Sequence, residues 1–189
     1  MRVSYRAETR GCVSNGGGNP AAGAPRENTD MSMPPSIEEQ VGSYFIQSGM
    51  TLATAESCTG GLIAHRLTTV SGASAYFLGS VVAYHNAVKH ALLGVPEEVL
   101  AAHGAVSEET ARDMAEGVRR LIGATYGVAV TGIAGPTGGS AEKPVGLVYI
   151  AVARADGTAV IRRQFSGTRE EIKSQTAETA IRLLLEYFE

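Results

Sequence analysis

Thr51-Leu52-Ala53-Thr54-Ala55-Glu56-Ser57-Cys58-Thr59-Gly60-Gly61 passes from a short apolar run into a polar loop that ends in two glycines, and Leu62-Ile63-Ala64-His65-Arg66-Leu67-Thr68-Thr69 follows with helical apolar spacing. The stretch predicts a strand over Thr51–Ala55 and a helix over Gly61–Thr69, and a strand handed through a tight turn to a helix is the repeating unit of α/β proteins. The same alternation extends outward. Towards the C-terminus, Gly79–Tyr84 reads as a strand and Pro96–His103 as a short helix entered by proline and ended by Gly104. Ser107 caps a longer helix in which Ala111, Met114, Val118 and Leu121 face inward and Gly123 ends the run. Tyr126–Thr131 and Leu147–Ala153 are apolar enough for central strands, and Ala159–Phe165 alternates like a strand with one exposed face. Thr168-Arg169-Glu170-Glu171 is a capping box that opens a terminal helix; towards the N-terminus, Ser36-Ile37-Glu38-Glu39 is another, opening a helix to about Gln47. The arrangement predicts a three-layer α/β/α domain around a mostly parallel, mixed sheet of about five strands, with one antiparallel member at the Leu147 hairpin. In such sheets ligands collect at the carboxyl ends of the strands.

Composition narrows the function. Of 189 residues, 44% are hydrophobic and 19% charged, a globular balance, and no apolar run is long enough for a membrane helix. A net charge of -3 gives no general attraction to nucleic acid or to an anionic membrane, so an anionic ligand has to be held by a local arrangement, which points to a small molecule. Cys12 and Cys58 cannot form the disulfide framework of a small secreted protein, and no signal or transit peptide is evident, so a cytoplasmic address is expected. Residues 1–35 are rich in Gly, Pro, Asn, Ser and Ala and read as a disordered extension, leaving residues 36–189 as the domain; Met31 and Met33 raise the expectation that translation starts there.

Three strand ends run into unusual loops. Glu56 to Gly61 could cradle a phosphate or carboxylate on the amides of the helix that follows, with Thr59 and Gly60 at the turn; the alternative is a plain strand-to-helix turn with Thr59 as its cap. Cys58 near a helix start could be a nucleophile or a buried thiol. Thr131-Gly132-Ile133-Ala134-Gly135-Pro136-Thr137-Gly138-Gly139-Ser140 carries more glycine than one turn needs and could form a backbone cradle. Ser140-Ala141-Glu142-Lys143 matches a Ser-x-x-Lys pattern by coincidence, since Gly-Gly before it and Pro144 after it exclude the helix on which such residues meet. In the third loop region Ser74, Tyr84, Asn86 and Lys89 flank the strand Gly79–Tyr84; a serine can attack an amide if a neighbouring lysine is kept neutral, whereas on spacing alone the set reads as solvated surface. Arg169 opposes the dipole at the first turn of its helix, which has a purpose if it binds phosphate and none if it pairs with Glu170 or Glu171. His65, His85, His90 and His103 lack metal-ligand spacing, so no metal is expected.

These motifs, in this order, give the chain a recognisable likeness. Thr54 to Gly61, Gly72 to Lys89, His103 to Ser107, Thr131 to Ser140, Glu142 to Gly146, and Phe165-Ser166-Gly167 with Arg169 resemble the C-terminal domain family of the competence/damage-inducible protein CinA, whose stand-alone members are the nicotinamide mononucleotide deamidases called PncC. The resemblance implies a serine/lysine acyl-enzyme amidohydrolase with Ser74 as nucleophile, Lys89 as base and Tyr84 assisting proton transfer. Ser57, Thr59, Gly60, Thr131, Gly132 and Arg169 would hold the substrate. It further implies no cofactor, a nucleotide as the small-molecule partner, and a homodimer. Two rival readings are a non-catalytic nucleotide-binding or protein-interaction module of the same fold, and an amidase for another small amide.

Overall fold

The structure of the chain is a computed structural model that describes residues 34–187. The tail expected to be disordered, apart from Pro34 and Pro35, lies outside the described residues. The elements are α1 (Ile37–Ser48), β1 (Leu52–Glu56), α2 (Leu62–Thr68), a single 3-10 turn (Ala73–Ala75), β2 (Phe77–Val82), α3 (Asn86–Leu93), α4 (Glu97–His103), α5 (Glu108–Ile122), β3 (Tyr126–Gly132), β4 (Leu147–Ala153), β5 (Thr158–Gln164) and α6 (Arg169–Glu186). Both capping boxes form as the sequence predicts, Ser36 with Glu39 and Thr168 with Glu171. Ser107 caps α5 by accepting the Thr110 amide, and Gly123 closes that helix in the left-handed conformation.

The sheet runs β2-β1-β3-β4-β5, with β1, β2 and β3 parallel and β4 antiparallel to both of its neighbours. The single reversed strand is the Leu147 hairpin, as expected. Strand alternation separates two cores. Leu52, Val128, Val130, Val148, Ile150 and Val152 face α1, α2 and α6, where Phe45, Ile63 and Ile181 complete the layer. Arg66 clamps that layer with hydrogen bonds to Glu38 on α1 and Glu178 on α6. The opposite face is built almost wholly of alanine: Ala53, Ala55, Ala129, Ala151 and Ala153 lie against Met114, Ala115 and Val118 of α5. Small side chains let α5 approach the sheet closely; a Cβ added to Gly127 of β3 would overlap the Ala115 carbonyl oxygen.

One helix departs from the sequence reading. Asn86–Leu93, expected only as a segment flanking a strand, is α3, capped by His85 Nδ1, which accepts the Ala87 amide. It carries Lys89 beneath the carboxyl ends of β1 and β2. The same edge of the sheet collects Ser57 after β1, Thr131 and Gly132 at the end of β3, and Arg169 at the start of α6.

Candidate active site

Ser57, Cys58, Tyr84, Asn86, Lys89, Thr131, Gly132 and Arg169 line one open cleft of about 250 Å3, small-molecule in scale, at the carboxyl ends of the parallel strands. Its floor is Lys89, which is 1% exposed. The Lys89 Nζ lies 3.0 Å from Ser57 Oγ, donates to the Ala83 carbonyl at 2.7 Å, and sits 3.4 Å from the Tyr84 carbonyl. All three contacts are uncharged oxygens, and among the described residues no carboxylate pairs with this lysine. Burial pushes its pKa below the ordinary lysine value, opposed by attraction to the Cys58 thiolate when that is formed. Three acceptors match the three N–H groups of an ammonium; in the neutral amine two N–H groups would face the carbonyls and the lone pair would be free to accept the Ser57 hydroxyl proton.

The structure does not bring the serine expected as nucleophile together with the expected base. Ser74 does not meet Lys89. It lies in the 3-10 turn before β2, in a separate depression with Thr68, Val70, Gly72, Ala73 and Phe77. Lys89 follows the other end of β2, and six strand residues at ~3.3 Å each put roughly 20 Å between the two ends. The serine within reach of the amine is Ser57. It follows directly on Glu56, the last residue of β1, and its side chain lines the cleft.

Nor does the structure bring the Tyr84 phenol to Lys89. Its side chain is 62% exposed and its hydroxyl accepts from Arg169 Nη2 at 2.9 Å, so the group that touches Lys89 is the Tyr84 carbonyl, not the phenol. Arg169 Nη1 donates to the Gly135 carbonyl at 2.7 Å. The arginine bridges two loops across the cleft, turns away from Glu170 and Glu171, and keeps N–H donors for an anion. Thr131 Oγ1 donates to the Ala105 carbonyl at 2.6 Å, tying the segment after α4 to the end of β3, so the hydroxyl is occupied although the residue lines the cleft. Gly132 lines it too, and an added Cβ would lie 2.7 Å from the Leu147 carbonyl oxygen.

Thr59 and Gly60 fall outside the cleft. The amides expected to cradle a phosphate are taken by the chain's own Glu56, whose buried carboxylate accepts from Gly61 N, Ile63 N and Ala64 N and from Thr59 Oγ1. Thr59 is therefore not the cap of α2; that position is Gly61. Cys58 is buried, and its thiol is pushed up to about 12 by that burial, which leaves it protonated and poorly nucleophilic. Lys143 Nζ donates to the His103 carbonyl at 2.6 Å, and Lys143 meets Ser140 Oγ only through its backbone amide, so the Ser-x-x-Lys match brings no amine to the serine.

The family model of the CinA C-terminal domain matches residues 35–188. The chain belongs to the CinA C-terminal domain family. Among CinA-family relatives, a CinA-like protein of Anaeromyxobacter dehalogenans is 55% identical over 148 residues, covering 78% of this chain and 36% of the relative. A CinA-like protein of Koribacter versatilis is 51% identical over 146 residues, 77% of this chain and 35% of that one. The chain thus spans about a third of the length of the curated relatives it matches. Solved CinA structures are more nearly its own size. A competence/damage inducible protein of Agrobacterium tumefaciens has 43% identity and a TM-score of 0.74, covering 84% of this chain and 100% of that one. A CinA superfamily protein of Klebsiella pneumoniae has 35% identity and a TM-score of 0.77, covering 79% and 94%.

Proposed function

We propose that this CinA-family domain is an amidohydrolase that removes the carboxamide nitrogen of nicotinamide mononucleotide, with Ser57 as nucleophile and Lys89 as its base. The observation that carries the reading is a buried amine with no carboxylate partner, 3.0 Å from a serine hydroxyl at the floor of a cleft whose rim holds an arginine bound only to uncharged oxygens. The family resemblance supplies the substrate. Ser57 Oγ attacks the carboxamide carbon as its proton passes to Lys89 Nζ. The C–N bond then breaks, Lys89 returns the proton to the leaving nitrogen, and ammonia departs, leaving a nicotinoyl ester on Ser57. Water, giving a proton to the again neutral Lys89, hydrolyses the ester to nicotinic acid mononucleotide and frees Ser57. Arg169, bridging two loops at the rim, would bind the substrate phosphate. No step calls on a metal or cofactor.

Ammonia release measured with nicotinamide mononucleotide, nicotinamide riboside, nicotinamide and NAD tests this. Nicotinamide mononucleotide is expected to be the preferred substrate. Ser57→Ala should lower turnover by about 10³-fold or more, and Ser74→Ala, an exposed change at the far edge of the sheet, should stay within about twofold. The reverse pattern would return the nucleophile to Ser74; preference for a different amide would leave the Ser57 chemistry but replace the substrate.

Arg169→Ala separates phosphate binding from chemistry. It should raise KM for nicotinamide mononucleotide by about tenfold to a hundredfold, the scale of a lost charge-assisted hydrogen bond, and barely alter KM for the riboside, which has no phosphate. An equal rise for both would place the phosphate elsewhere.

A further inference from the structure

The mechanism leaves one buried ionisable group unused. Glu56 is fully buried at the last position of β1, immediately before Ser57. Its Oε2 accepts from Thr59 Oγ1 at 2.7 Å, Gly61 N at 3.0 Å and Ile63 N at 3.0 Å, and its Oε1 accepts from Ala64 N at 2.8 Å. A buried carboxylate is costly unless its lone pairs are filled; Thr54 Oγ1 also lies 3.5 Å from Oε1, and the four close donors fill them. They span every part of the loop: the hydroxyl in its middle, the amide of the capping Gly61, and two amides of the first turn of α2. Gly61 has no side chain and sits at φ +101°, so it cannot satisfy those amides itself. Glu56 substitutes for the missing cap from the end of the preceding strand.

We infer that Glu56 is a positioning residue that fixes the turn bearing Ser57, so that its Oγ is held against Lys89. The inference rests on Ser57 being the nucleophile. The geometry supports it because Glu56, the last strand residue, reaches the start of α2, whereas Ser57, the next residue, reaches Lys89 in the cleft. The carboxylate anchors one side of the turn to α2, while the hydroxyl projects from the other into the cleft. The backbone at Ser57 is further held by its amide on the Val130 carbonyl at 3.0 Å. With the strand side and the helix side both pinned, the serine has little freedom to leave the amine. A loop with glycines at Gly60 and Gly61 would otherwise be among the most compliant parts of the site.

Glu56→Gln tests the idea with almost no change of volume. A glutamine can point its oxygen at only one of the two donor groups, so its NH2 must face the Ala64 amide or the Gly61 and Ile63 amides, donor against donor. Reactivity of Ser57 is read with a small organophosphonate fluoride: Ser57 Oγ displaces fluoride at phosphorus, its proton passes to Lys89, and mass spectrometry locates the adduct. The variant is expected to label about tenfold to a hundredfold more slowly than wild type, the penalty of a serine displaced by about 1 Å. Where nicotinamide mononucleotide turns over, kcat should fall by a similar factor with KM unchanged, a split that a general loosening of the cleft would not produce. Thr59→Val, which removes one of the four donors, should label a few-fold more slowly and serves if Glu56→Gln fails to fold. Labelling at the wild-type rate in either folded variant overturns the role of Glu56. Labelling that persists in Ser57→Ala overturns Ser57 as nucleophile and this inference with it. Normal labelling of wild type without ammonia release from nicotinamide mononucleotide overturns only the proposed substrate, and the slower labelling of Glu56→Gln still stands as support.

Discussion

Replacing Lys89 by methionine is expected to lower ammonia release by about 10²–10⁴-fold, the range a positioned general base contributes, while substrate binding at the rim survives. Methionine matches the length of most of the lysine stem and suits the buried path from α3 to Ser57, so the loss isolates the amine. The wild-type pH profile should carry the same signature: kcat/KM rises with pH along an acid limb whose midpoint lies below the ordinary lysine range, because burial depresses the pKa and only the neutral amine can accept the serine proton. Stability provides a second reading of the same group. Its folded pKa is lowered, so between that value and the unfolded ~10.4 the unfolded chain binds more protons than the folded one, and stability rises with pH through this window. Lys89→Met lacks the group. The melting temperature of wild type relative to the variant should therefore climb as pH rises from the lowered folded value towards the unfolded ~10.4. Parallel pH dependences in the two proteins would mean that Lys89 keeps its proton on folding, and its role as base would fail.

The residues that carry this chemistry differ in how far they could be read from the chain. The strands and most helices were legible because their signals are local: two capping boxes, a serine cap at Ser107, and glycines past the ends of α4 and α5. The arrival of Arg169 at the cleft was half legible, since a cation at a helix start costs energy and asks for a partner, but Tyr84 and Gly135 as those partners are contacts across 85 and 34 positions. α3 was invisible for a specific reason. It buries Lys89 and exposes Leu92, which inverts the apolar pattern a helix normally shows, and its cap is a histidine. The pairing of Ser74 with Lys89 came from the family resemblance and not from a local signal. Ser74 and Lys89 sit on either side of β2, and a strand between two residues holds them apart, whereas Ser57 and Lys89, 32 positions apart, meet because their strands are neighbours in the sheet. Likewise Glu56 to Gly61 has the composition of an anion cradle, and it is one; the anion is the chain's own carboxylate.

Gly117→Ala in α5 should destabilise the domain by about 2 kcal/mol net, and it ties packing to the site. On helix propensity alone the change is favourable by ~1 kcal/mol, since Gly117 lies mid-helix with no positive φ to protect. Tertiary contact reverses the sign. An added Cβ would overlap the Leu93 carbonyl oxygen and lie 2.8 Å from its carbon and 3.0 Å from its Cα, and these are backbone atoms that cannot swing aside as a side chain could. Over-packing of this kind costs about 3 kcal/mol when the neighbour must move bodily. The neighbour is the last residue of α3, one helical turn beyond Lys89. Relief comes by pushing α3 away from α5, which draws the amine from Ser57. Thermal unfolding followed by circular dichroism should show a fall of about 4–8 °C. Turnover measured well below that transition should also drop, because the folded fraction carries a lengthened contact between Lys89 and Ser57. A melting temperature that rises, as propensity alone dictates, would show that α3 and α5 do not pack through this glycine, and the placement of Lys89 by that packing would fall with it.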